Sequence, residues 1–350
     1  MRILVTGGTG FIGSHTVVEL QQAGYEVEII DNLSNSYSEV LGKIEQITGT
    51  RPGFSEFDIC DLTKLRQFFN SHQGIAGIIH FAAHKAVGES VEQPLKYYHN
   101  NLVSLMNLLT CMLETGISNM VFSSSCTVYG QPDQLPVTES APLKQAFSPY
   151  GNTKRIAEEI LADTIKANKL LNVIALRYFN PIGAHPSALI GELPIGLPSN
   201  LVPFIMQTAI GKRESLKVFG DNYPTPDGTA IRDYIHVVDL AKAHVIAIER
   251  MLENKGKSNF EMFNLGTGHG YSVMQVIKSF ESVTGLKLNY HICPPREGDV
   301  TEVWADTTFA HKELGWKATL DIDDMMASAW KWEKALKQQE ESLNKPKTNL

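Results

Sequence analysis

A chain of 350 residues, 43% hydrophobic and 20% charged, has the composition of a globular protein with one large or two ordinary domains, not of a disordered segment. A formal net charge of −7 argues against general affinity for nucleic acid, which basic surfaces grip, but leaves room for a local basic pocket around a phosphate ligand. Cys60, Cys111, Cys126 and Cys293 are scattered, with no CxxC and no His/Cys cluster, which speaks against a disulfide framework or a metal site.

The first predicted strand, Arg2–Thr6, runs into "VTGGTGFIGSH" and a helix over Phe11–Gln22. Gly7, Gly10 and Gly13 are spaced for a tight turn through which a backbone can approach a pyrophosphate. The helix opening near Phe11 and Ile12 offers unpaired N–H groups to the phosphates. A second strand, Glu26–Ile30, ends at Asp31. A carboxylate there accepts from a ribose diol and repels a 2′-phosphate, which favours NAD over NADP. Further strands are expected at Phe54–Asp58, Gly77–Phe81, Met120–Ser124 and Asn172–Tyr178, with amphipathic stretches at Thr63–Ser71, Leu95–Glu114 and Gly151–Lys169. Apolar strands separated by helices predict an α/β domain over residues 1–180, a doubly wound parallel sheet covered on both faces.

Residues 181–200 are rich in Pro and Gly and read as a functional loop. A smaller mixed α/β domain is expected to follow, to about residue 337, with a segment near 232–266 available to pack back onto the first domain. The polar residues 338–350 are expected to fray. No apolar run reaches the ~20 residues that span a bilayer. "MRILVTGGTG" breaks into glycine too early for a signal peptide, so the cytoplasm is the expected location.

"SPYGNTKRIAEE" places Tyr150 and Lys154 four apart at the start of a helical run, on one helix face. A free tyrosine titrates near ~10. An ammonium and an oxidised nicotinamide ring both stabilise phenolate, and opposite charges within a few ångströms lower a pKa by ~1–3 units, towards a useful base. Ser125, just past the fifth strand, is placed to hold the same substrate oxygen. Ser123 and Ser124 read as a turn or a helix cap.

"HFAAHKAVGESV", "FSSSCTVYG", "SPYGNTK", "RYFNPIGAHPS", "DGTAIRDYIHVVDLA" and "REGD", together with the glycine-rich opening and "DNLSNS", resemble the extended short-chain dehydrogenase/reductases, the NAD-dependent epimerase/dehydratase family. The resemblance runs from residue 1 to about residue 306 and is closest to the members that invert C4 of a UDP-hexose. It implies a Rossmann domain with a UDP-sugar domain, tightly held NAD regenerated through a 4-keto sugar, and no metal. It implies catalysis by Tyr150 with Ser125 and Lys154. NAD contacts are implied at Phe11 and Ile12; at Asp31, Asn32, Leu33, Ser34, Asn35 and Ser36; at Asp58 and Ile59; at Phe81, Ala82, Ala83, His84 and Lys85; and at Asn100 and Phe179. Substrate contacts are implied at Asn180, Asn200, Leu201, Phe219, Arg232, Arg296 and Asp299. The small Val303, where sugar-restricted members carry a bulky tyrosine, implies room for N-acetylated UDP-sugars. A homodimer through Leu95–Glu114 and Gly151–Lys169 is also implied. Two alternatives stand beside this reading. A 4,6-dehydratase or decarboxylase of the same fold is disfavoured because Cys126 and Thr127, not carboxylates, follow Ser125. A non-catalytic NAD sensor would not need both Tyr150 and Lys154.

Overall fold

The structure, a computed structural model, describes residues 1–198, 200–296 and 300–343. Asp299 lies outside them. The main sheet contains β1 (Arg2–Thr6), β2 (Glu26–Asp31), β3 (Gly53–Glu56), β4 (Ile75–His80), β5 (Asn119–Ser125), β6 (Asn172–Tyr178) and β10 (Phe260–Leu265). Its 7 strands are ordered β10-β6-β5-β4-β1-β2-β3. Every neighbouring pair is parallel. Strand order reverses between β1 and β4, and in such sheets the crevice at that point, beyond the carboxyl ends, is where ligands bind.

Both faces of the sheet are covered, which is why its central strands carry apolar runs pointing to either side. Ile3, Val5 and Ile29 share a core with Val17 and Leu20 of α1 (Phe11–Gln22) and with Leu240 and Ile248 of α9 (Val237–Leu252). Leu4, Ile30, Ile78 and Phe122 point the other way. They pack on α3 (Leu62–Ser71), α6 (Ser104–Thr115) and α7 (Pro149–Ala167), while α2 (Glu39–Thr48) lies against α1. The stretch expected as one helix over Leu95–Glu114 is divided. After α4 (Val87–Glu92), α5 (Pro94–Tyr98) passes through a π-helical turn, His99–Val103, before α6 begins. β3 ends at Glu56, short of the expected Asp58, because the Asp58 carboxylate caps a turn by accepting from Cys60 N–H at 2.8 Å.

A second core gathers Ile205, Val218, Tyr234, Ile277, Phe280 and Met325. It is built from α8 (Leu201–Ala209), α10 (Val273–Thr284) and α11 (Ile322–Leu343), with the short sheets. β7 (Asn180–Ile182), β9 (Ile231–His236), β11 (Gly270–Ser272) and β13 (Glu302–Val303) make one sheet, and β8 (Leu216–Phe219) with β12 (Tyr290–Cys293) makes the other. The chain re-enters the main sheet at β10, so that sheet is not confined to residues 1–180. α11 continues to Leu343 and pairs with the body through Lys212 and Glu340 at 2.9 Å; residues 338–343 are therefore helical rather than frayed.

One buried carboxylate ties the two strands that carry Arg232 and Val303. Asp233 on β9 accepts from Thr267 N–H and Oγ1, Gly268 N–H and Ala305 N–H, at 2.7 to 3.1 Å. These bonds fix β13 and the loop after β10 beside the crevice.

Candidate functional site

A cavity of about 1610 Å³ lies between the carboxyl ends of the main sheet and the second core. At its floor the loops after β1 and β4 touch. A Cβ on Gly7, whose φ is +71°, would sit 2.8 Å from Ala82 N. A Cβ on Gly13 would sit 2.2 Å from the Gly7 carbonyl oxygen. Only glycine permits this closeness. Gly10 is the N-cap of α1 and supplies no side-chain cap, so the helix presents bare N–H groups.

Asp31 lines the cavity at the end of β2 and accepts from Thr9 N–H at 3.2 Å, Leu33 N–H at 2.9 Å and Ser36 Oγ at 3.2 Å. The glycine turn and the loop after β2 are thus held by one carboxylate. Asn32, Ser34, Asn35 and Ser36 lie on the wall, but Leu33 does not: at φ 56° it turns the chain and contributes only its N–H to Asp31. Asp58 and Ile59 stand across from Asn32, whose amide donates to Asp58 at 3.2 Å. Phe81, Ala82, Ala83, His84 and Lys85 form the opposite wall. A bare helix N-terminus, a glycine cradle and a carboxylate at the end of β2 fit a dinucleotide with an unphosphorylated ribose.

The remaining groups come from β5, α7 and the second core. Ser148 caps α7, accepting from Gly151 N–H at 3.2 Å, and Pro149 occupies the first turn. That cap sets Tyr150 at the cavity edge, with Lys154 one turn further in. Ser125 closes β5, and its hydroxyl also accepts from Thr127 N–H at 3.3 Å. Lys154 is 4% exposed and its ammonium donates to Ser123 O at 2.6 Å. Asn100 and Phe179 line the cavity beside these groups.

Burial dominates the electrostatics. It pushes the Tyr150 phenol up to about 12, although hydrogen bonding to Ser125 pulls the other way. It draws the Lys154 ammonium down to about 8, against the attraction of Glu158. The expected lowering of the phenol by Lys154 together with an oxidised ring is not produced by the protein's groups alone. The ammonium is directed at a backbone carbonyl, and at the phenol burial outweighs the hydrogen bond with Ser125.

The second core brings Asn180, Asn200, Leu201, Phe219, Arg232, Arg296 and Val303 to the same cavity. Arg296 lies with its guanidinium carbon 4.0 Å from the Phe219 ring centroid, a stacked cation. Arg232 donates to Ile231 O at 2.8 Å. Val303 pairs with Arg232 across β9 and β13 and packs with Val128 and Phe179.

The chain matches the family model described as GDP-mannose 4,6 dehydratase over residues 4–329. A curated relative, UDP-glucose 4-epimerase of Yersinia pestis, is 51% identical over 333 residues, 95% of this chain and 97% of that protein. The crystal structure of UDP-glucose 4-epimerase from Bifidobacterium longum in complex with NAD+ and UDP superposes with a TM-score of 0.92 at 47% identity, covering 96% of this chain and 98% of that one. The enzyme from Stenotrophomonas maltophila, with bound NAD and formylated UDP-arabinopyranose, gives 0.93 at 47% identity over 97% and 99%. The chain belongs to this family, and within it to the UDP-glucose 4-epimerases.

Two serines were misread from sequence. Ser123 and Ser124 lie in β5, as the expected strand Met120–Ser124 has them, but not in the turn or cap role read from their residue type: they are buried, and Ser123 supplies the carbonyl that holds Lys154 while its hydroxyl meets Tyr178. Asn101 was missed beside Asn100. It accepts from His84 N–H at 2.8 Å and donates to His84 O and Thr153 Oγ1, each at 3.0 Å, so it ties the loop after β4 to α7. An asparagine inside an apolar helical stretch was the available signal.

Replacing Gly13 with alanine forces a Cβ against backbone that cannot yield cheaply. The variant is expected to purify without nucleotide, read as loss of the dinucleotide released on denaturation. Wild-type nucleotide content in Gly13→Ala would contradict the cradle.

Proposed function

We propose that the protein interconverts UDP-galactose and UDP-glucose by inverting C4 of the sugar. The observation that carries this reading is the convergence of Ser125, Tyr150 and Lys154 with Arg232 and Arg296 on one cavity. Bound NAD supplies the redox chemistry, as acceptor and then donor of the hydride at C4. Tyr150 takes the proton of the 4-hydroxyl and later returns it. Ser125 holds the same oxygen, and Lys154 stabilises the phenolate form. Arg232 and Arg296 grip the diphosphate, with Asn180, Asn200, Leu201 and Phe219 seating the uridine end, so the handle stays fixed while the 4-keto sugar turns over. Asp31 and the glycine turn hold the cofactor's ribose and pyrophosphate. Elimination would need an acid and a base beside C5 and C6, and the residues after Ser125 are a thiol, which burial pushes up to about 12, and a threonine.

Val303 supports a second substrate class. It is 6% exposed and lines the cavity, where a larger side chain would take up part of the volume. We place N-acetylated UDP-hexoses among the substrates. The protein works in the cytoplasm as a homodimer. Four free thiols suit a reducing compartment, and among the described residues no helix is long and apolar enough to cross a membrane. Val91, Leu95 and Met106 expose apolar surface on and beside the helices expected to pair, and light scattering should give twice the chain mass, where a monomer would contradict this.

The wild type should convert UDP-galactose to UDP-glucose with no added cofactor. Formation of a keto sugar that accumulates, or no turnover, would contradict the reading. Tyr150→Phe should lower kcat by about 10²–10⁴-fold with little change in KM, as expected for loss of a general acid–base. Val303→Tyr should abolish turnover of the N-acetyl pair while sparing the glucose pair. Failure of the wild type on the N-acetyl pair would remove that substrate class alone.

A further inference from the structure

Behind the cavity, out of reach of any ligand in it, lies a buried charged cluster that the chemistry above does not use. Ser124 on β5 and Arg177 on β6 are register partners, and both side chains turn towards α7. There they meet Glu158, which is 4% exposed and one turn beyond Lys154. Arg177 donates to the two carboxylate oxygens, Nε at 2.9 Å and Nη2 at 2.6 Å, and Ser124 Oγ donates to Oε1 at 2.6 Å. Arg177 Nη1 goes on to Tyr129 OH at 3.0 Å, which donates to Asn264 at 2.7 Å.

Apolar packing would hold a helix on a sheet without such a cluster. A buried ion pair offsets its desolvation only with near-ideal geometry, and its best-attested use is to fix register. Here the register fixed is that of the helix carrying Tyr150 and Lys154 on the strand carrying Ser125.

We propose that Glu158 is a positioning residue for proton transfer: clamped by Arg177 and Ser124, it sets α7 on β5 and β6, and its charge keeps Lys154 an ammonium. This rests on the reading of Tyr150 and Lys154 as the proton-transfer pair. The other groups facing that pair do not supply a negative charge. Burial keeps His80 on β4 neutral, drawing it down to about 3, with the nearby ammonium pulling the same way. Burial also raises the phenol of Tyr178 on β6 and the thiol of Cys126. Phe122 offers its ring face 5.0 Å from the ammonium. Tyr97 faces Tyr150, but its phenol is raised by burial and by its bond to Glu89, whose carboxylate also pairs with Lys96. Glu139 faces Arg177, and burial raises its carboxyl. Among the described residues Glu158 is thus the carboxylate that counteracts the desolvation of Lys154.

The test is a ¹³C titration of the labelled Lys154 ε-carbon in the holoprotein, its signal assigned by loss in Lys154→Met. Removing both charges, Glu158→Gln with Arg177→Met, should lower the Lys154 midpoint, by less than the ~1–3 units of a lone adjacent charge because the opposing Arg177 is lost with it. Arg177→Met alone, which leaves Glu158 unneutralised, should raise it. If the double variant does not fold, the single variant decides by the same criterion. Midpoints that stay at the wild-type value would mean packing only and overturn the proposal. A wild type inactive on UDP-galactose would instead overturn the functional reading, whatever Lys154 does.

Discussion

A lysine ammonium taken out of water is unfavourable by several kcal/mol unless neighbouring dipoles and charges replace its hydration. Lys154 is 4% exposed and has two such supports: the Ser123 carbonyl at 2.6 Å and the negative charge of Glu158 one turn along its helix. The whole crevice is arranged around that seat. β5 supplies the carbonyl and, two residues on, the Ser125 hydroxyl. α7 supplies the ammonium and, one turn back, the Tyr150 phenol. The Ser148 cap and the Ser124–Glu158–Arg177 cluster pin that helix near its start and further along.

Burial acts on the two groups of this arrangement in opposite directions. Burial raises Tyr150 to about 12 while drawing Lys154 down to about 8. Protein charge alone does not activate the base. Under the proposed mechanism, an oxidised, positively charged ring at the same site would favour the phenolate alongside Lys154 and so couple proton transfer to the redox state of the cofactor.

Much of the doubly wound sheet was legible because buried parallel strands read as unbroken apolar runs. β1 and β6 fall where the sequence puts them, and the glycine turn was legible because its backbone contacts admit no Cβ. What was not legible depends on distant partners. The return of a segment near 232–266 to the first domain was expected, but that β10 would join the sheet as a strand beside β6 is a pairing no local pattern encodes. The π-helical turn at His99–Val103 interrupts a stretch whose apolar spacing is continuous. Ser123 and Ser124 look like turn residues by type, and only Lys154, Tyr178 and Glu158, brought in by the fold, make use of them inside a strand. The direction of the Tyr150 shift escaped for the same reason: spacing on a helix reports proximity, and burial is a property of the folded whole.

The most direct test of that coupling is the ultraviolet titration of Tyr150, taken as wild type minus Tyr150→Phe, on protein holding oxidised cofactor and again after the cofactor has been reduced in place. The account predicts phenolate absorbance at a midpoint lower by ~1–3 pH units in the oxidised form, the effect of one adjacent positive charge. The same midpoint in both forms would contradict it.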